Sequence, residues 1–461
     1  MRLKLLLLVL LSLQALSGCV ERGGTPSMPE MRVLPRVGLD QPSPRAETSA
    51  ATEFVEPTGV ITLDQALALA LEHSPELKAF SLDVSAAEAR RVQAGLGPNP
   101  TLAVQSEEAV GEGDRSGFDG AESSLKISQR IEMGQKRDKR STLASMEKEL
   151  AKWDYKAKRL DVKKQVTEAF IALLKWQKKL ALAQEVVRIA EQAHNAVAQR
   201  VEAGRDSPIE KTKSSVALAT ARIEPQRARL ALESAKKRLA ATWGSKVARF
   251  DSVVGEFDNT APVPSSAELG GLVRQNPDVA RWDAEMQKSR AALELEKSRA
   301  VSDITLSGGW QYFNETDDSA AVFGLSIPLA VSDRNQGGIR RAMYLLAKAQ
   351  QSSKAAEVKA LAALEEAAQR LAGAYAEATA LEDDVLRGAK VSFDAVSEGY
   401  RDGKFDYLQV LDAQRTLFET RSRYVESLTA YHMAKADIER LIGQDLDSIN
   451  KTHEDHMKES K

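Results

Sequence analysis

Cysteine is almost missing: in 461 residues there is one, Cys19. No intramolecular disulfide can form, and no thiolate cluster is available to hold a metal. Charge of one sign is missing too. Lys and Arg number 64 against 66 Asp and Glu, a formal net charge of −2, so there is no basic surplus for phosphates and nucleic-acid binding is excluded. Aromatic residues make up only 5% of the chain. Beyond the N-terminal segment no run of 18 apolar residues occurs, so the mature chain carries no transmembrane helix. Histidines are scattered at 73, 194, 432, 453 and 456, and there is no phosphate loop. No enzymatic constellation emerges, and no cofactor or metal is expected. His194 sits on a helix seam and reads as a packed residue. The His453-Glu454-Asp455-His456 run reads as a solvated terminus sooner than a metal site.

What is abundant is helical periodicity. From Val166 the apolar residues step by three and four through Ala169, Leu173, Trp176, Leu180, Ala183, Val187 and Ala190 to Val197 and Val201. That is the 3.5-residue period of a coiled-coil seam. An earlier stretch from Leu143 to Leu160 keeps the step in a shifted register. A helix over residues 137–201 would span roughly 100 Å at 1.5 Å per residue, the length of a rod and not of an ordinary domain. Length alone would suggest about three domains, yet one extended helical protein fits these periods better. The rod ends at Gly204, where a left-handed cap is wanted, and Arg205-Asp206 turns the chain. Ser207-Pro208-Ile209-Glu210 then reads as N-cap, first-turn proline and capping-box glutamate. A return helix follows through Val216, Ile223 and Leu230 to about Trp243, and Pro225 should kink it or change its winding.

Residues 1–18 read as a secretory signal, with Arg2 and Lys4 before an apolar run. Leu16-Ser17-Gly18-Cys19 resembles a bacterial lipoprotein cleavage box, which makes Cys19 the lipidated residue. Val20, which is no aspartate retention signal, favours the outer membrane. A Pro-rich tether, 19–58, follows.

The remainder is written twice. A first repeat, 59–245, and a second, 266–443, are joined by a linker, 246–265, and followed by a polar tail, 444–461. Each repeat runs short helix, strand, loop, strand, long helix, tight cap, return helix. In the first, a helix opens at Thr62, passes Ser74-Pro75 and reaches about Gln93; strands fall at Thr101 to Gln105 and Leu125 to Ser128. In the second, a helix opens at Ala267, passes Asn276-Pro277 and reaches about Arg299; strands fall at Ile304 to Phe313 and Phe323 to Ile327. Gly403 repeats Gly204, Asp406 replaces Ser207 as N-cap, and Gln409 replaces Glu210. The fold class is therefore mostly α with a small β part: long antiparallel helical hairpins plus four strands per chain. Four strands cannot hide their own edges. If several chains each donate four to one barrel, three chains give twelve strands and a tube of twelve helices. The competing reading is a helical stalk capped by ordinary hairpins.

These segments resemble the TolC family of outer membrane efflux channels. The likeness is carried by Leu63-Asp64-Gln65-Ala66-Leu67-Ala68-Leu69-Ala70 with Ser74-Pro75-Glu76-Leu77, by Gly97-Pro98-Asn99-Pro100-Thr101-Leu102, and by Gly403 through Asp412-Ala413-Gln414-Arg415. It covers residues 60–443. Ser128 through Arg137, and Ile327-Pro328-Leu329 with Asp333 through Gly337, are most similar to the outer membrane components of cobalt-zinc-cadmium type tripartite systems. The resemblance implies a homotrimer with a 12-stranded barrel in outer membrane lipid and a periplasmic α-barrel. It implies a passive duct for heavy-metal cations, served by a periplasmic adaptor and an inner-membrane pump of the proton-driven resistance-nodulation-division type. Equatorial structure would come from residues near 244–265 and beyond 440. The tips Gly204, Arg205, Asp206, Ser207 and Gly403, Lys404, Phe405, Asp406 would face the adaptor. Gln409 and Asp412 match the positions of a periplasmic gate ring, with Gln409 departing from the family's acidic pattern. The alternatives are a duct for drugs or secreted polypeptides, and a lipid-anchored periplasmic structural coiled coil.

Overall fold

The computed structural model describes residues 55–109, 120–262 and 266–449. The signal segment, Cys19, most of the tether and the His453/His456 tail lie outside the described residues. The rod is one helix, α3, Lys136–Glu202, of 67 residues, about 100 Å long. Its seam is the packed face: Val166, Leu173 and Val197 are fully buried, with Ala183 and Ala190 nearly so. This helix packs along α2 (Pro75–Ala94), α5 (Ile223–Thr242), α7 (Pro277–Arg299) and α10 (Tyr407–Ile442).

Each short helix of the sequence reading is in fact two. Before α2 lies α1, Leu63–His73, closed and reopened at Ser74, whose hydroxyl accepts the Leu77 N–H. In the second repeat α6, Ser266–Val273, gives way to α7 at Asn276. The cause is local: Pro75 and Pro277 bring no N–H to a running helix and push the preceding residue out of the helical region. Asn276 also donates from Nδ2 to the Arg440 carbonyl at 2.7 Å, tying the break to α10. The return helix breaks likewise. α4, Pro208–Ala221, and α5 are separated at Arg222, three residues ahead of Pro225, which sits in the first turn of α5 where its missing N–H is tolerated. The second long helix is α8, Gln336–Ala380, followed by a π-helical turn over Leu381–Val385 and then α9, Leu386–Arg401. The repeat pattern gave no sign of that turn.

The sheet is antiparallel in the order β2 (Thr101–Glu107), β3 (Glu122–Ile131), β5 (Ile304–Phe313), β6 (Asp318–Ser326). All four arms of the sequence reading are present, β2, β3 and β6 longer than expected. Register sorts their two faces. Leu102 pairs with Ile127 and Val104 with Leu125; Leu125 pairs with Trp310, Leu306 with Leu325, and Gly308 with Phe323. These apolar side chains share one face and stand exposed, Val104 at 79% and Phe323 at 84%. The other face carries Gln105, Ser124, Ser128, Thr305, Ser307, Gln311 and Ser326, with Gly309 and Gly324 between them. One greasy face and one wet face is the pattern of a strand that meets lipid on one side and water on the other. Both outer strands, β2 and β6, are unpaired on their far edges.

A further sheet escaped the sequence reading, so the described residues hold six strands instead of four. β1, Gly59–Ile61, lies parallel to β4, Phe250–Val253, and draws the start of the first repeat onto the linker. Gln177 on α3 holds this pair by donating to the Val253 carbonyl and accepting its N–H. Phe257 stacks on His432 at 5.6 Å between centroids, and Ala261 bonds the Tyr431 hydroxyl, so the linker lies against α10 as well as the middle of the rod. Beside it Leu269, Leu364, Leu371 and Ile438 belong to one core cluster.

Candidate functional site

The two helical tips are the same turn written twice. Gly204 and Gly403 both adopt left-handed φ, at +69° and +79°. Arg205 N–H then reaches back to the Arg200 carbonyl at 2.9 Å, as Lys404 N–H reaches the Gly399 carbonyl at 2.8 Å. Each pair closes the last turn of a long helix and satisfies carbonyls that helix ends leave open.

The restart differs between them. Asp406 and Gln409 form a complete capping box: Asp406 accepts the Gln409 N–H at 2.9 Å, and Gln409 Oε1 accepts the Asp406 N–H at 3.1 Å. At the first tip Ser207 accepts the Ile209 N–H at 3.4 Å, and the expected reciprocal bond from Glu210 is absent. Glu210 turns instead to Lys213 at 2.9 Å. Ser207 is thus a cap without a box.

Asp206 differs from the rest of its tip: its side chain is 14% exposed and folded inward. Arg200 grips it with two bonds, at 2.9 and 3.0 Å, and the Tyr400 hydroxyl donates to it at 2.8 Å. Arg200 also donates to the Tyr400 carbonyl at 3.3 Å and lies 4.9 Å from that ring's centre. First and second tips are therefore joined by three side chains. Hydrogen bonds from Arg200 hold the Asp206 carboxyl below its usual range, and burial pushes the Tyr400 phenol up. Beneath this joint Val197, Tyr400, Tyr407 and Val410 form a small core, with the two tyrosine rings 6.1 Å apart. Arg200 and Tyr400 were not picked out from the sequence. Both lie inside helical periods, and only their meeting across 200 residues shows the role.

Phe405 is half exposed, its ring laid over Gly399 so closely that a β-carbon there would collide with it. Arg205 and Ser207 are exposed, and Lys404 reaches Asp402 at 3.1 Å. Gln409 and Asp412 stand together on α10, where with Ala389, Ser392, Val396 and Leu408 they line a groove of about 460 Å³ against α9. The Asp412 carboxylate is 76% exposed, with Arg415, 3.9 Å away on its own helix, as its counter-charge among the described residues. Among the described residues no group of three or more His, Cys, Asp or Glu could hold a metal.

Along α4 and α5, Ile209, Val216, Ile223 and Leu230 recur every seven residues, and all are exposed, Leu230 at 74%. An exposed apolar heptad stripe has the spacing of a helix-packing face.

Comparison with known proteins gives three findings. The sequence profile of a family described as "Outer membrane efflux protein" matches residues 66–245 and 271–444. Among curated proteins, the chain is 34% identical over 404 residues to the cobalt-zinc-cadmium resistance protein CzcC of Cupriavidus metallidurans, covering 87% of this chain and 95% of that one. It is 23% identical to the pyoverdine export outer membrane protein OpmQ of Pseudomonas putida, covering 91% and 94%. Among solved structures it superposes on CusC with a TM-score of 0.71 at 16% identity, covering 85% of this chain and 96% of that one. At that identity the likeness is one of fold.

Proposed function

The chain belongs to the outer membrane efflux protein family, and from that premise we propose that it is the trimeric exit duct of a tripartite system that expels heavy-metal cations. The observation that carries this reading is the sheet, with one face apolar in register across all four strands and both edges open. Edges left open in lipid would strand unpaired N–H and C=O groups at several kcal/mol each. Joining β6 of one chain to β2 of the next removes both edges at once, and three chains close a barrel of twelve strands. The exposed heptad stripe along α4 and α5 supports the same assembly, because it supplies the helix-to-helix seam between neighbours.

In this account the rods form a periplasmic tube, the tips meet an adaptor, and a pump in the inner membrane supplies the energy. Proton-driven resistance-nodulation-division pumps are the type proposed. Cys19 carries the lipid anchor. Asp412 lines the narrow end, where three copies would focus negative potential and favour cations. Metal as cargo rests on the similarity to CzcC. The similarity to OpmQ supports the second reading, an organic substrate.

Growth of a deletion strain separates the two. It is challenged with Zn, Co, Cd, Ni and Cu salts, and separately with dyes and antibiotics, with and without a chromosomal copy restored. Sensitivity to metals alone, reversed by the restored gene, is the expected result. Sensitivity to organics alone keeps the duct and discards the metal. Silence on both panels favours a structural coiled coil.

A further inference from the structure

The wet face of the sheet is not uniformly polar; its charges are sorted by height. At the loop end, one register row runs Glu107, Glu122, Phe313, Asp318 across all four strands. Three of its four residues are carboxylates. Gln105 donates to Glu107 and Gln311 to Glu122, each at 2.7 Å, and no cation is among these contacts. Four residues down β3 on the same face is Lys126, in a row with Ala103, Gly309 and Val322. Four further down is Arg130, in a row with Thr305 and Ser326. Neither cation has an acid in its row, and neither forms an ion pair among the described residues. Nearby Glu132 and Asp303 are paired with Arg140 and Lys136, and both also feel the Arg130 charge, so two acids and three bases stand together at that end and leave it net positive. At about 3.4 Å per residue the two cations lie roughly 14 and 27 Å along β3 from the acidic row.

We infer that Lys126 and Arg130 form a cationic belt lining the inner end of the barrel beneath an acidic mouth, and that this belt sets which ions cross it. This rests on the barrel reading above, since the wet face must line a lumen. With three copies, six positive charges ring the wall at two levels, on a surface otherwise of small neutral side chains. The belt attracts anions and raises a barrier to free cations, twice as high per ion for divalent ones. A passive barrier acts equally in both directions. It therefore limits return of metal ions gathered at the acidic mouth between delivery strokes, while pump-driven accumulation below overcomes it.

Ser128 is the natural probe, because it lies on the wet face midway between the two cations. In intact cells, Ser128→Cys is treated from outside with a membrane-impermeant anionic thiol reagent or a cationic one. Each rate is divided by that of a free thiol in solution, with the unsubstituted chain, whose one cysteine is Cys19, as background. Two charges about 7 Å away, screened at physiological salt, favour the anionic reagent by roughly five-fold. Adding Lys126→Gln and Arg130→Gln should bring the ratio close to one. Equal rates in both proteins, or a preference for the cationic reagent, overturn the belt and leave the barrel standing. Ile127→Cys on the apolar face tests the barrel separately. If it reacts with both reagents as readily as Ser128→Cys, the barrel reading fails, and the belt with it.

Discussion

Replacing Tyr400 with phenylalanine removes one hydroxyl from the joint between the tips and leaves the ring that packs on Tyr407. The lost bond, 2.8 Å from the phenol to an Asp206 carboxylate that Arg200 holds ionised, is charge-assisted. Such bonds contribute about 1.5 to 3 kcal/mol. The joint lies at the end of the molecule, so the lower figure applies, and the ratio of joined to separated tips should fall roughly tenfold. Arg200 still donates to the carbonyl of residue 400 and lies against its ring in this variant, so most molecules stay joined. Asp206→Asn added to it removes the charge pair as well. The two changes share one network and should not simply add. In planar bilayers the single variant is expected to open about ten times as often as wild type, and the double variant more often still, with the melting temperature nearly unchanged. The Asp206 carboxyl is depressed by its Arg200 bonds. Its contribution is therefore complete above the ordinary carboxylate range and lost only as pH falls through the lowered value, so openings should not increase between pH 7 and pH 5. Equal opening frequencies in wild type, single and double variants would refute the idea that this joint restrains the tips.

Other predictions concern separate parts of the chain. Asp412→Ala should raise leak conductance and weaken block by divalent cations, since the carboxylate is exposed and among the described residues pairs only with Arg415 on its own helix; unchanged conductance and block would remove it from the gate. Gly399→Ala forces the Phe405 ring off the turn and should cost about 1–3 kcal/mol locally, read as faster proteolysis at the second tip with the rest of the chain intact. Burial pushes Glu439 up to about 7. Its proton is held in the folded state after the unfolded chain has released it, so stability falls as pH rises from about 4.5 to 7 and then levels. Glu439→Gln keeps an oxygen for the Leu446 N–H and should stabilise by on the order of 2 kcal/mol at pH 8 but little at pH 4. Thermal unfolding at the two pH values checks this, and an equal shift at both would contradict it.

Much of this architecture is written in local periodicity. The seam from Val166 to Val201, the glycines at 204 and 403, and the alternation in Ile304–Phe313 each specify an element through residues close in sequence. What stayed hidden depends on distant partners. The parallel pair of β1 and β4 joins segments of three and four residues, too short to show a period. The π turn at Leu381–Val385 adds a register shift that an apolar pattern absorbs. Asp206 carries a turn residue's signature whichever way its side chain points; Arg200 and Tyr400 decide that, and neither is near it in any pattern. Glu210 shows the converse. The capping-box spacing is present at Ser207, yet Lys213 one turn later competes for the carboxylate and takes it.

The central claim is that the open edges of β2 and β6 close between copies of the chain. Native mass spectrometry of the protein extracted in mild detergent from outer membranes tests it most directly. The account predicts a single species of three chains that survives dilution, resists SDS until heated, and collapses to monomer on boiling. A monomer or dimer under the same mild extraction, with the sheet intact by infrared spectroscopy, would contradict it.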